Sequence, residues 1–167
     1  MKVPSRSAAK LPPIGPLLLI DVDGVLSLYG TGDVPALIDG IPHLLSTRAA
    51  AVLSELAGEF ECVWCTGWED RADEHLPRLL GLPRGWPHVV FTEDPGPHWK
   101  LAGIDAYAGP DRPLAWIDDG HDDARRAWAA ARRGPTLLLT TEPALGLTPE
   151  HASVLRGWAE RLSTAGS

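Results

Sequence analysis

Leu17-Leu18-Leu19-Ile20-Asp21-Val22-Asp23-Gly24-Val25 is an apolar run that ends in two carboxylates one residue apart, then a glycine. The run is too short for a helix and is flanked by Pro and Gly, so it reads as a buried strand. Strand side chains alternate, which places Asp21 and Asp23 on one face at the strand's carboxyl end. In open α/β sheets, ligands bind at that end. Two like charges there repel each other, and neither is buried cheaply. The pair therefore calls for a cation or a shared proton. A plain turn explains one Asp and the Gly. It does not explain a second acidic pair, Asp118-Asp119, late in the chain. A calcium loop fails, because Leu19 and Gly30 would stand where it needs Asp and Glu.

Outward from this strand, strands and helices alternate. Ser27 to His43 reads as an irregular stretch, rich in Gly and Pro. Ser46 or Thr47 can cap a helix running from Arg48 to Leu56. A strand follows from Glu61 to Cys65, then a helix from Ala72 to Leu80 that stops at Gly81. His88 to Phe91 reads as a short strand, His98 to Tyr107 as a helix, and Leu114 to Ile117 as a strand. Asp122 to Arg133 reads as a helix, Thr136 to Thr140 as a strand and Pro149 to Leu162 as a last helix. The strands are apolar throughout, as in sheets buried on both faces. The expected fold is α/β, a Rossmann-like three-layer sandwich around a central parallel sheet.

A length of 167 residues fits one domain. We expect residues 1–16, with Pro4, Pro12, Pro13 and Pro16, to be a flexible tail, and residues 17–167 to form the domain. The tail's prolines and the early Asp21 spoil a signal-peptide core, and no apolar run reaches membrane-span length, so a cytoplasmic protein is expected. The net charge of −7 argues against a protein that coats nucleic acid nonspecifically. Cys62 and Cys65 fall on opposite strand faces and lack a partner pair at zinc spacing, so they read as buried strand cysteines.

Chemistry-bearing residues recur at strand ends or helix starts: Asp21 with Asp23, Thr66, Lys100, and Asp118 with Asp119. A parallel sheet gathers such positions on one rim. Carboxylates with open water sites suit Mg²⁺ beside a phosphate. The chain has three lysines and twelve arginines. Lys2 and Lys10 lie in the expected tail, so Lys100 is the lone lysine of the body. A compact ammonium can touch a carboxylate and a phosphoryl oxygen together.

The order of these motifs resembles the haloacid dehalogenase (HAD) superfamily of phosphohydrolases. Asp21-Val22-Asp23-Gly24-Val25, Thr66-Gly67, Lys100 and Ile117-Asp118-Asp119 match its four motifs in family order. The stretches Val63 to Trp68 and Ala115 to Asp119 also resemble a small bacterial subgroup, whose domains occur alone or fused in RNA-repair proteins. The resemblance implies a Mg²⁺-dependent phosphatase of HAD type with a minimal cap. Asp21 would be the nucleophile, forming an aspartyl-phosphate. Asp23 would protonate the leaving oxygen and then activate water. Mg²⁺ would sit on the Asp21 carboxylate, the Asp23 carbonyl and one Asp of the 118–119 pair. Asp119 is favoured by the family's Gly-Asp variants, with Asp118 as the alternative. Thr66 and Lys100 would hold phosphoryl oxygens. Asp122 and Asp123 read as helix-start carboxylates or as supports for the metal's ligands.

Asp23 favours phosphoester over carbon–halogen cleavage, because the family's dehalogenases lack that carboxylate. The gaps between motifs leave no room for the modules of phosphomutases or ATPases, only for a small flap at Ser27 to His43. An uncapped site admits a bulky phosphorylated substrate such as a nucleic-acid end, or is closed by a partner or second subunit. Trp68 either packs beneath its helix or stacks on a base at the site. Arg125, Arg126, Arg132 and Arg133 read as a solvated helix face or as a phosphate-backbone contact. His43, His98 and His121 read as turn or surface histidines. A phospho-accepting receiver-type domain and a non-catalytic RNA- or protein-binding module are the competing readings.

Overall fold

The computed structural model describes residues 15–92 and 96–166. Residues 1–14 of the expected tail lie outside the described residues. Pro16, assigned to that tail, is held by the sheet: its carbonyl accepts the Glu61 N–H at 3.0 Å. The elements run β1 (Leu17–Ile20), β2 (Val34–Ile38), β3 (Ile41–Leu45), α1 (Thr47–Leu56), β4 (Glu61–Trp64) and α2 (Asp70–Leu80). They continue with α3 (Leu101–Ala108), β5 (Leu114–Asp118), α4 (Asp123–Ala131), β6 (Thr136–Thr140) and α5 (Pro149–Ala165).

A four-stranded parallel sheet has the order β4-β1-β5-β6, compatible with a Rossmann-like fold. Strand alternation divides its side chains between two cores. Leu18, Ile20, Cys62, Trp64, Ala115 and Ile117 pack with Leu53 of α1, Leu76 of α2 and Leu155 of α5. Leu17, Leu19, Val63, Cys65, Leu114 and Trp116 pack with Ile104 of α3 and against Trp128 of α4. Cys62 and Cys65 thus fall on opposite faces, as buried free thiols. Every β1 side chain is fully buried, each worth about 1.5–3 kcal/mol.

Helix ends follow local chemistry. The Ser46 side chain accepts the Ala49 N–H and starts α1. α2 ends at Gly81, whose φ of 69° is left-handed. Thr148 and His151 cap α5 reciprocally.

The segment expected to be irregular, Ser27 to His43, instead contributes β2 and most of β3 of an antiparallel hairpin. Its turn is Asp39-Gly40, with φ of 52° and 80°. Asp-Gly between apolar residues is a strong hairpin signal, and Pro35 and Pro42 mask it. A two-stranded ribbon tolerates both prolines, since each strand has an unpaired edge. His88 to Phe91 is not a regular strand. Among the described residues it makes one parallel bridge, His88 to Trp64, with Val89 N–H donating to the Trp64 carbonyl at 2.8 Å. The helix expected from His98 starts at Leu101, after a turn through Lys100. No helix among the described residues is long and apolar enough to cross a membrane.

Leu19 is central in the sheet and fully buried. Leu19→Ala is expected to cost about 3 kcal/mol through lost burial and the cavity left behind. Urea unfolding followed by circular dichroism measures it.

Candidate active site

The carboxyl ends of β1, β4 and β5 meet at one rim, because the parallel register sets Ile20 opposite both Trp64 and Ile117. Asp21 follows β1, Thr66 lies two residues past β4, and Asp118 closes β5. Lys100 enters from the turn before α3. Its Nζ lies 2.7 Å from Asp118 Oδ2 and 3.3 Å from Asp21 Oδ1, and donates to the Cys65 carbonyl at 3.1 Å. Asp21, Thr66, Lys100 and Asp118 are all buried.

Asp21 and Asp23 both lie beyond β1, which ends at Ile20. The chain leaves extended geometry after Ile20, and the Val22 carbonyl accepts from Val25, Leu26 and Ser27. Trp68 Nε1 donates to Asp23 Oδ2 at 3.2 Å. Trp68 thus packs against the core and borders the site at once. Its backbone N–H donates to Thr66 Oγ1 at 3.2 Å.

The carboxylate cluster is Asp21, Asp118 and Asp119, with ligand oxygens all within 4.8 Å of one another. Asp118 is heavily engaged. Its Oδ2 takes Lys100, and its Oδ1 accepts the Gly120 N–H at 2.8 Å and lies 3.1 Å from Arg125 Nη1. Asp119 is partly exposed and abuts Gly24. A Cβ on Gly24 would stand 2.3 Å from Asp119 Oδ2, and the Gly24 φ of 78° is itself left-handed, so only glycine fits. Thr141 Oγ1 donates to the Gly24 carbonyl at 2.8 Å, and the Thr141 N–H donates to the Asp118 carbonyl at 3.1 Å. One threonine past β6 therefore braces both acidic loops.

Burial raises Asp21 to about 7, with Lys100 opposing and Asp118 adding to the rise. Burial also pushes against the charge of Asp118, but Lys100 and Arg125 outweigh it and hold that group down at about 2. Asp119 is raised by burial and then by Asp118. Lys100 loses some basicity to burial, yet Asp21 and Asp118 overcome this and raise it. The cluster is short of positive charge. Its hard oxygen donors fit a divalent cation of the Mg²⁺ or Ca²⁺ kind.

Arg125 corrects the reading of α4 as a wholly solvated basic face. It is buried, with its guanidinium 4.5 Å from the Trp116 ring centre. Among the helix's arginines, Arg126 pairs locally with Asp123 at 2.7 Å on the surface. Asp122 caps α4 by accepting the Arg125 N–H at 2.9 Å, and Asp123 is exposed, so both act as helix-start carboxylates. Thr141 escapes sequence reading, because it reaches the acidic loops only through packing. No family model matches the chain, and no curated protein or solved structure matches it either.

Arg125→Met is expected to lower stability by about 3 kcal/mol, since it strips a buried partner from Asp118. Arg126→Met, at an exposed pair, should stay within about 0.5 kcal/mol. Urea unfolding at neutral pH compares the two. A second prediction concerns pH without metal. Folded Asp21 keeps a proton that the unfolded chain, at 3.8, gives up. Its stabilisation is therefore complete below about pH 4 and shrinks as pH rises to about 7. Asp118 has the opposite sign: its contribution is present above 3.8 and lost as pH falls to about 2. Thermal melts in chelator should show stability falling from pH 4 to 7 more steeply in the wild type than in Asp21→Asn.

Proposed function

We propose that this chain is a Mg²⁺-dependent phosphatase of HAD type that hydrolyses a phosphomonoester through an aspartyl-phosphate on Asp21. The observation that carries the reading is the Asp21–Lys100–Asp118 set at the strand ends, with Asp119 beside it. A buried carboxylate with one lysine and a second acidic loop at hand is what phosphoryl transfer to an aspartate requires.

Asp21 Oδ1 accepts the Val22 N–H at 2.8 Å and faces Lys100. That fixes the carboxylate and leaves Oδ2 as the attacking oxygen. Oδ2 bonds to phosphorus as the bond from phosphorus to the alcohol oxygen breaks. Asp23 gives its proton to that oxygen, so a neutral alcohol leaves. Asp23 then takes a proton from water, whose oxygen attacks phosphorus. The bond between phosphorus and Asp21 breaks, and inorganic phosphate is released. Trp68 keeps the Asp23 carboxyl aimed during both transfers. Thr66 holds a phosphoryl oxygen through its hydroxyl, whose oxygen accepts from the Trp68 N–H, and Lys100, whose ammonium contacts Asp21, Asp118 and the Cys65 carbonyl, supplies positive charge beside it. Asp21 and Asp119, with the Asp23 carbonyl, would hold the metal. Asp118, with both oxygens already engaged, would serve mainly to fix Lys100. Bound Mg²⁺ would neutralise charge between the anionic nucleophile and the anionic phosphate.

With Mg²⁺ and 4-nitrophenyl phosphate, Asp21→Asn is expected to lose activity on the order of 10³-fold or more. Asp23→Asn should lose roughly 10²–10⁴-fold. Excess chelator should remove activity and added Mg²⁺ should restore it. Undiminished release by Asp21→Asn rules out the nucleophile. A phosphoryl group that persists on Asp21 without turnover assigns a phospho-accepting module instead.

A further inference from the structure

A groove of about 1010 Å³ runs from Asp23 along the β2–β3 hairpin to the start of α2. Its walls near Asp23 are aromatic. Trp68 and His43 form one side, with ring centres 4.8 Å apart. Ser27 Oγ holds His43 Nδ1 at 2.9 Å, so this pair is anchored. Tyr29 also lines the groove and is 61% exposed. Its hydroxyl lies in the field of Asp23, Asp119 and Asp21, which, after burial, raises its pKa. Tyr29 thus lines the same groove as Asp23. The hairpin's tip adds Leu37 and Ile41, which are 75% and 59% exposed despite being large and apolar.

The groove's charges are as informative. Asp23, Asp39 and Arg71 are its charged residues, and Arg71 pairs with Asp39 and, at 3.4 Å, with Glu74. Among the described residues, no unpaired cation lines it. A nucleic-acid strand needs several cations to meet successive phosphates. Aromatic walls and an apolar tip suit an uncharged ring system instead.

We infer that this groove binds the alcohol part of the substrate, and that this alcohol carries an uncharged aromatic or heteroaromatic ring. The inference rests on the phosphatase reading, because the groove meets the catalytic centre at Asp23, where the leaving oxygen takes its proton. The ring slides between Tyr29 and the Trp68–His43 pair, with Leu37 and Ile41 covering its far end.

Calorimetric titration of the full chain with Mg²⁺ tests this, using two phosphonates that cannot be hydrolysed. Naphthylmethylphosphonate should bind at least about tenfold tighter than methylphosphonate. Leu37→Glu with Ile41→Glu, at exposed positions that tolerate charge, should bring that ratio near one. In parallel turnover, naphthyl phosphate should exceed glycerol phosphate in kcat/KM, chiefly through KM. Equal binding of the two phosphonates overturns the inference. So does a ratio that survives in the double variant, or preferred turnover of a 5′-phosphorylated oligonucleotide. Sedimentation showing a dimer that the double variant dissociates, with ligand selectivity intact, assigns the tip to self-association and also overturns it. Aromatic selectivity in binding without turnover of any ester keeps the groove and removes the phosphatase reading. Equal turnover of naphthyl and glycerol phosphates does the reverse.

Discussion

The Lys100 ammonium, buried between Asp21 and Asp118 and tied to the Cys65 carbonyl, is the constraint on which the rim depends. Remove that charge and two carboxylates stand close together in a region of low polarity, each opposed by burial. The lysine does not treat them equally. Asp118 receives the shorter contact, 2.7 Å, and a second cation in Arg125. It is held near 2, while Asp21 stays near 7. One acid is therefore a permanent anion that anchors the lysine. The other is a carboxyl whose charge state is set by what else arrives.

This asymmetry depends on the whole sheet. Lys100 precedes α3, Cys65 follows β4, Asp21 follows β1 and Asp118 ends β5. Only a parallel arrangement brings these ends to one side, and only a closely packed interior holds a lysine stem in place without water. The loops add a second layer of fixation. Gly24 leaves space that Asp119 fills, and Thr141 ties the Gly24 carbonyl to the end of β6. The acidic cluster is thus braced by glycine sterics and a threonine hydroxyl as much as by charge.

On the open side, the hairpin gives the site its character. One of its faces carries His43 toward Trp68, and Trp68 reaches Asp23 through its indole N–H. A carboxylate, an aromatic wall and an exposed apolar tip are joined in one continuous groove. On the function proposed, the acidic centre takes the charge of the substrate and this surface takes its shape.

Much was legible in the chain alone. An apolar run ending in carboxylates predicts a buried parallel strand with chemistry at its end, and β1 and β5 follow that rule, because hydrophobic burial and strand period are local properties of sequence. Ser46, Gly81 and Thr148 punctuate helices by equally local chemistry. The lone body lysine was visible as a compositional oddity. Its place on one rim with Asp21 and Asp118 was legible too, whereas its bond to the Cys65 carbonyl was not, since a backbone acceptor carries no signal in residue type. Arg125 reads as one of four similar arginines until packing against Trp116 buries it. The sequence by itself determined the elements, their layers and the residue types at the rim. Tertiary structure decided which carboxylate each cation neutralises, because Coulomb attraction and desolvation depend on distances of a few ångströms that only the packed sheet establishes.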